Sequence, residues 1–311
     1  MVNFKKYLFC FFSINLVSML LVSIVVFKAF FIDSIFSYQK LYHYQIDKIA
    51  TSNDIDTVFV GDSSLGNCID TDLFNEMSSI NSLNLALTGL YGYAGTYNMI
   101  KKAVKKHHIK NVIIIHTLDM MKRKTSYKGY LYTLEKPYDL NITEWSRAIE
   151  TFFNILFSPK TRLSLVRYHR GLIDPFSIDI VNDYIEQHKK RIDITKDVAG
   201  MDEKLNTDKI RFLIKIRNFC RNNNINLIYV HGPIWRPIGE ESKKYINKIN
   251  QTIEKLGIKL LKNVPLISDI SIGDNNDHVA SQYKKDYTLM YYEQIKSHLL
   301  THVDPTIIKE H

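Results

Sequence analysis

Two short polar segments, one near each end of the chain, contain the residue types of a nucleophilic site. Gly61-Asp62-Ser63 follows a strand-like run, and Asp274, Asp277 and His278 lie close together in a polar segment. A histidine takes the proton of a serine hydroxyl when a carboxylate fixes its tautomer and stabilises the imidazolium. The two segments therefore supply the parts of an acyl-transfer site with a serine nucleophile.

The positions of these segments favour a shared location. Ser63 lies between a strand and a helix-like segment, and His278 lies in the loop before the final helix. In a doubly wound sheet such loops gather at the carboxyl ends of the strands, so we expect His278 beside Ser63. Adjacent side chains rarely turn toward each other, which favours Asp274 over Asp277 as the residue that orients His278. The alternative is that Asp62 or Ser63 only caps the next helix.

Alternating apolar strands and helices predict an α/β fold. The predicted strands are 56–61, 82–87, 111–116, 225–231 and 258–264, and the predicted helices are 93–108, 209–222, 240–256 and 282–300. Near-continuous apolar runs are typical of strands covered on both faces. We therefore expect a doubly wound, mostly parallel five-stranded sheet in three layers, because too few strands are available for a barrel.

The N-terminal region predicts a membrane anchor. Residues 7–27 contain no charge, and a helix of this length crosses a hydrocarbon core about 30 Å thick. A cleaved signal peptide and a buried core helix are the weaker alternatives. Lysines before the span favour a cytoplasmic N-terminus. This divides the chain into a cytoplasmic tail (1–6), an anchor (7–31), a helical stalk (32–54) and an extracytoplasmic domain (55–303), periplasmic or at the cell surface.

The rest of the chain narrows the class of protein. The interval 122–207 interrupts the alternation and is expected to be a helical insertion, either a lid over the site or a peripheral packing element. The net charge is +9, but the basic residues are dispersed, so we expect no nucleic-acid partner. Three cysteines without metal-ligand spacing, and no phosphate-binding glycine loop, predict neither a metal nor a cofactor.

The motifs resemble those of the SGNH (GDSL-like) hydrolase superfamily, in particular its membrane-anchored branch associated with acylation of surface polysaccharides. The resemblance covers roughly residues 55 to 301 and rests on Gly61-Asp62-Ser63, the segment 84–89 and the terminal Asp/His loop. It implies that Ser63 is the nucleophile and His278 its base. It also implies that the N–H groups of Ser63 and Gly89 form the oxyanion hole.

Two positions depart from that family's pattern. Asn275, not an aspartate, lies three residues before His278, and the third block, Gly-x-Asn-Asp in the family, is His-Thr-Leu-Asp at 116–119. The asparagine that would donate to the oxyanion is therefore missing. The conceivable replacements are Asn67, Thr88 and Thr117. Residues predicted to line the pocket also include Asp62 and His231, the latter with a structural loop as an equal alternative.

These expectations combine into one function and one rival. The resemblance implies an anchored serine enzyme that is either an O-acetyltransferase or an acetylesterase acting on an extracytoplasmic polysaccharide. A transferase needs acyl groups from across the membrane, and the resemblance implies a multispanning acyltransferase as the partner that supplies them. The rival is a non-catalytic, anchored glycan-binding or scaffold protein, and the missing asparagine and the shifted aspartate motivate it.

Overall fold

The structure is a computed structural model that describes residues 4, 6–18, 37–125, 129–130, 133–134, 146–147, 150, 200–202 and 204–300. Among these residues, no helix is long and apolar enough to cross a membrane. Residues 6–18 are helical, whereas 19–31, the remainder of the predicted anchor, lie outside the described residues. Most of the predicted insertion, 122–207, also lies outside them. The anchor and the lid therefore stay predictions.

Five parallel strands form the central sheet, in the order β2-β1-β3-β4-β6. They are β1 (Thr57–Gly61), β2 (Ser82–Asn84), β3 (Asn111–His116), β4 (Asn226–His231) and β6 (Lys259–Leu261), while β5 (Ile234–Trp235) pairs with β7 (Leu266–Ile267) in a small second sheet. The predicted α/β class and the five-stranded parallel sheet are confirmed.

Helices cover both faces of the sheet. The described helices are α1 (Ser37–Thr51), α2 (Ser63–Cys68), α3 (Thr71–Met77), α4 (Gly92–Lys106), α5 (Thr207–Asn222), α6 (Arg236–Glu241), α7 (Lys243–Lys255) and α8 (Lys284–Ile295). Alternate strand residues point to opposite faces. Val58 therefore packs in one core with α1, α4, α5 and α7, and Phe59 packs in a second core with α2, α3 and α8. This explains why every residue of β1 is buried.

Several predicted boundaries differ from the observed ones. The predicted second strand 82–87 ends as a strand at Asn84, although Leu85 and Leu87 still donate backbone hydrogen bonds to β1. The predicted helix 240–256 is two helices, which meet at the buried Ser242. The predicted stalk 32–54 is helical over Ser37–Thr51, but this helix packs on the domain through Leu41, Tyr42 and Ile49.

The strand order reverses at β1, which has β2 on one side and β3 on the other. At such a switch point the connections leave β1 and β3 toward opposite faces and open a crevice beyond their carboxyl ends. Ser63 follows β1 directly, so the fold places it at this crevice.

Candidate active site

The turn that carries Ser63 depends on a glycine. A Cβ atom on Gly61 would lie 1.7 Å from the carbonyl oxygen of Ile115 on β3, so only glycine lets the two strands approach this closely. Asp62 then caps α2, and its carboxylate accepts from the backbone N–H of Ser64. Ser63 is the first residue of the helix. The cap prediction is thus correct for Asp62, and it leaves the Ser63 hydroxyl free for another partner.

Ser63, His278 and Asp274 form one hydrogen-bonded chain. The Nε2 atom of His278 lies 2.9 Å from the Oγ atom of Ser63, and its Nδ1 atom lies 2.7 Å from an Oδ1 oxygen of Asp274. Nδ1–H therefore donates to the carboxylate, which leaves the Nε2 lone pair facing the serine hydroxyl. The structure brings together the three residues that the sequence analysis singled out, although Ser63 lies more than 200 positions before Asp274 and His278 in the chain.

A tight loop explains why Asp274, not the residue at 275, reaches the histidine. The Gly273 N–H donates to the His278 carbonyl (2.7 Å), and the His278 N–H donates to the Asn275 carbonyl (3.1 Å). This turn exposes the side chains of Asn275 and Asn276 to solvent. The backbone N–H of Trp235 fixes the loop from outside by donating to the Asn276 carbonyl at 2.7 Å.

Two carboxylates surround the His278 ring. Asp277 has an oxygen 3.7 Å from Nε2, too far for a hydrogen bond, and that oxygen has no hydrogen-bond partner among the described residues. Burial alone would lower the pKa of His278, but the charge of Asp277 and the hydrogen bond to Asp274 raise it above its ordinary value. Burial raises the pKa of Asp277 itself. The imidazolium form of His278 is thus stabilised from both sides of the ring.

A second aspartate–histidine pair lies beneath the nucleophile. Asp62 accepts from the Ser64 hydroxyl (2.6 Å), the Thr117 N–H (3.1 Å) and Nδ1 of His116 (3.1 Å). Nε2 of His116 contacts the Thr96 hydroxyl at 2.8 Å. Burial alone would raise the pKa of Asp62, but the charge of His116 and these hydrogen bonds lower it to about 2. The ionised Asp62 therefore ties α2 to the end of β3.

The two predicted oxyanion donors lie on neighbouring segments. The Leu87 N–H donates to the Gly61 carbonyl at 3.0 Å, so the chain that leads from β2 toward Gly89 runs alongside the end of β1, two residues before Ser63. Neither the Ser63 N–H nor the Gly89 N–H donates a hydrogen bond within the part of the chain that the structure describes. Both groups are thus available to an acyl oxygen.

The conceivable replacements for the missing asparagine have different surroundings. Asn67 uses its amide to donate to the Ser63 carbonyl (2.8 Å), and the Thr117 N–H donates to Asp62 (3.1 Å). The Thr88 hydroxyl is buried without a partner among the described residues. The Thr88 hydroxyl is thus available as a replacement donor.

His231 is part of the packed interior. It is buried, its Nε2 lies 2.7 Å from the Asn250 side-chain oxygen, and burial lowers its pKa to about 4. A neutral histidine with this bond stabilises the end of β4 and does not line an open pocket. The structural alternative given for His231 in the sequence analysis is therefore the one that its surroundings favour.

Sequence reasoning missed two cations near the site, Arg123 and Lys209. The Nη1 atom of Arg123 lies 2.5 Å from the point where a Cβ atom of Gly89 would be, and Nζ of Lys209 lies 2.9 Å from the corresponding point of Gly92. Lys209 is one of many basic residues on a helix that begins more than 80 residues after Arg123. Nothing in its local sequence distinguishes it from a solvated lysine.

Comparisons with known proteins do not assign a family. No family model matches the chain, and no curated protein matches it. One solved structure, described as a "putative platelet activating factor" from Streptococcus pneumonia, is 10% identical, with 92% of this chain and 100% of that chain covered at a TM-score of 0.40. A TM-score and an identity this low do not establish a shared fold or activity. The function must therefore be inferred from the site itself.

Proposed function

We propose that this protein is a serine acyl-transfer enzyme of the SGNH type, an esterase or O-acyltransferase. The observation that carries the proposal is the hydrogen-bonded chain Ser63–His278–Asp274, with distances of 2.9 and 2.7 Å, at the switch point of a parallel sheet. Nucleophile, base and orienting carboxylate at these distances are the arrangement that activates a serine hydroxyl.

Each residue has one role in the reaction. The Ser63 oxygen attacks the carbonyl carbon of an acyl ester while its proton passes to Nε2 of His278, and Asp274 stabilises the resulting imidazolium. The N–H groups of Ser63 and Gly89 bind the oxyanion. When the intermediate collapses, the leaving alcohol takes the proton from Nε2 and an acyl-serine remains.

The second half-reaction decides between the two activities. An acceptor hydroxyl gives its proton to Nε2 and attacks the acyl-serine, which restores free Ser63. Water as acceptor makes the protein an esterase, and a sugar hydroxyl makes it an O-acyltransferase. The uncharged N-terminal region and the family resemblance support a glycan outside the cytoplasm as substrate and a multispanning acyltransferase as partner. The glycan substrate and the acyltransferase partner are both part of the proposal.

One observation favours the rival function, a non-catalytic glycan-binding protein. Leu118 occupies the place of the third-block asparagine, and the N–H of the neighbouring Thr117 is already bonded to Asp62. Loss of one oxyanion donor typically costs about 100- to 1000-fold in rate. A binding protein would tolerate that loss, whereas an enzyme needs another donor.

Labelling of Ser63 separates the two functions. The full-length protein in detergent is treated with a fluorophosphonate probe and, separately, with p-nitrophenyl acetate, and the modified residue is identified by mass spectrometry. We expect a phosphonyl or acetyl group on Ser63 and none in Ser63→Ala. An unlabelled Ser63 in folded wild-type protein would refute the enzyme and leave the binding protein.

A further inference from the structure

Among the described residues, no carboxylate forms an ion pair with Lys209, although this lysine is buried. It is only 3% exposed, and in the part of the chain that the structure describes its hydrogen-bond partner is the sulfur of Met120, at 3.7 Å. The acids whose charges act on it are already paired: Asp208 with Arg147 at 2.9 Å, Asp62 with His116 at 3.1 Å and Asp119 with Arg123 at 2.8 Å. Lysines are rarely buried this deeply unless they are paired, because an ammonium group loses its hydration.

Two further features make this position unfavourable for a cation. Lys209 is the third residue of α5, where the helix dipole repels positive charge. The charge of Arg123 also acts on it and, after burial itself, is the next largest cause that lowers the pKa of Lys209 to about 8. Two cations held together near a helix N-terminus are destabilised unless an anion joins them.

The backbone holds this pair in place. Asn206 caps α5, and its side-chain amide donates to the Arg123 carbonyl at 3.1 Å. The Asn206 N–H donates to the Met121 carbonyl at 2.8 Å. The start of α5 is thus fixed to the segment that carries Arg123, so the two cationic groups keep their separation. They belong to a built arrangement and not to two independent surface side chains.

Both cations point at the turn that contains the proposed oxyanion donor. Their end groups occupy the spaces that glycines leave at positions 89 and 92, and Gly92 has a positive φ of 50°. The Thr88 hydroxyl, buried and unpartnered, belongs to the same turn. Arg123 uses Nε and Nη2 to bind Asp119, which leaves Nη1 directed at Gly89. The Arg123 side chain is 39% exposed, so a ligand can reach the guanidinium from solvent.

We propose that Arg123 and Lys209 form an oxyanion-binding subsite that holds a carboxylate or phosphate group of the glycan substrate beside Ser63. Anion binding by these two residues does not depend on the proposed function. Only the statement that the bound anion belongs to the substrate rests on that function. The guanidinium and ammonium groups supply N–H donors to the anion, and its negative charge compensates the two cations. The acyl group is then transferred to or from an acidic glycan and not a neutral one.

Binding of small probes tests the subsite without catalysis. Calorimetry on the full-length protein in detergent at pH 7 compares glucuronate, inorganic phosphate and glucose. We expect at least one of the two anions to bind about 10- to 100-fold more tightly than glucose, the range that charged hydrogen bonds give. The tighter anion identifies a carboxylate or a phosphate as the natural group. Equal affinity for all three probes would overturn the proposal.

Matched variants assign the effect to these residues. Lys209→Met and Arg123→Gln should each remove the preference for the anion, whereas Lys244→Met, which removes an exposed charge from α7, should keep it. Lys209→Met should also raise the melting temperature, because methionine is buried at less cost than an unpaired ammonium. Retention of anion binding by folded Lys209→Met would contradict the subsite.

The pH dependence gives an independent readout. The charged groups that face Lys209 are Arg123, Asp62, Asp119 and Asp208, and such groups ordinarily titrate outside pH 7–9. Lys209 loses its proton as the pH rises through about 8, so the affinity for glucuronate, which stays fully ionised in this range, should fall roughly tenfold between pH 7 and 9. Fluorophosphonate labelling of Ser63 in the same preparation reports on the enzyme separately. Labelling without anion binding refutes the subsite alone, and anion binding without labelling refutes the enzyme alone.

Discussion

The chain contains two aspartate–histidine pairs attached to one turn, and they differ in burial and in the third partner. The His278–Asp274 pair has side chains 13% and 11% exposed and faces the hydroxyl of Ser63. The His116–Asp62 pair is 1% exposed on both sides and faces the hydroxyl of Thr96. Both contain the same chemical groups. Only the first gives a proton acceptor, a nucleophile and access from solvent in one place.

The difference shows how environment assigns separate roles to similar groups. A proton on Nε2 of His278 can pass to a substrate, because its serine neighbour lies in the crevice. Both ring nitrogens of His116 are bonded to buried protein groups, so a proton there has no exit. The buried pair positions the turn, and the accessible pair is suited to react. This division makes the comparison testable with pairs of substitutions.

The largest effect is expected from the two adjacent serines. Ser63→Ala should abolish fluorophosphonate labelling and reduce ester hydrolysis by about 10⁴- to 10⁶-fold, as for the loss of other triad nucleophiles. Ser64→Ala removes only a 2.6 Å hydrogen bond to Asp62, so it should keep the labelling and lose about 2 kcal/mol of unfolding free energy. Urea unfolding and labelling are measured on both variants. If Ser64→Ala abolishes labelling while it stays folded, the assignment of the nucleophile is wrong.

The next largest effect is expected from substitution of the two carboxylates, Asp274 and Asp62. Asp274→Asn should lower kcat by about 10²- to 10⁴-fold with little change in stability, because the amide no longer fixes the His278 tautomer. Asp62→Asn should cost about 3 kcal/mol of stability, because it leaves buried donors of Ser64, His116 and Thr117 poorly paired.

Steady-state hydrolysis of p-nitrophenyl acetate and chemical unfolding are measured on both carboxylate variants. Equal losses of stability in the two would remove the distinction between a reacting pair and a positioning pair. A loss of activity in Asp62→Asn that follows its loss of folded protein is consistent with the positioning role.

The sequence predicted the sheet and the reacting residues because both depend on local patterns. Apolar runs such as 112–115 are typical of strands that helices cover on both faces. Ser63 begins the helix after β1 and His278 lies in a loop, and the place of both follows from the strand order. The choice of Asp274 followed from the poor geometry of adjacent side chains, and the structure places it on Nδ1.

The buried aspartate–histidine pair and the two cations were not predicted, because they depend on contacts between distant segments that have no local sequence pattern. His116 ends a strand, and only the approach of β3 to the Ser63 turn brings it to Asp62. Arg123 and Lys209 meet because Asn206 joins two segments across the insertion. The turn at Ser63 has two roles: Asp62 caps the helix, and the hydroxyl of the next residue, Ser63, contacts His278. The sequence favours the cap and the nucleophile as alternatives, and the structure shows that both roles are compatible.

A smaller effect is expected in the acid range, where the buried pair controls stability. The pKa of Asp62 is about 2 in the folded protein against 3.8 ordinarily, so its ionised form contributes on the order of 2 kcal/mol of stability above about pH 4. This contribution is lost as the pH falls through 2. Urea unfolding of wild type and Asp62→Asn between pH 2 and 6 should therefore converge at the acid end. A constant difference between them across that range would contradict the role of the Asp62 charge.

The smallest effect is a shift in the pH profile of the reacting pair. Neutral His278 is the base, so kcat/KM should fall as the pH drops below its raised pKa. Asp277→Asn removes a carboxylate 3.7 Å from Nε2 but keeps the Asp274 hydrogen bond, so the acid limb should move to lower pH while kcat changes little. Asp274→Asn should move the limb and also lower kcat.

Because Asp62 is bonded to His116 and not to His278, an Asp62→Asn enzyme that remains folded should show a smaller shift of the acid limb than either of these variants. A larger shift in Asp62→Asn than in Asp277→Asn would mean that the two pairs act as one electrostatic unit.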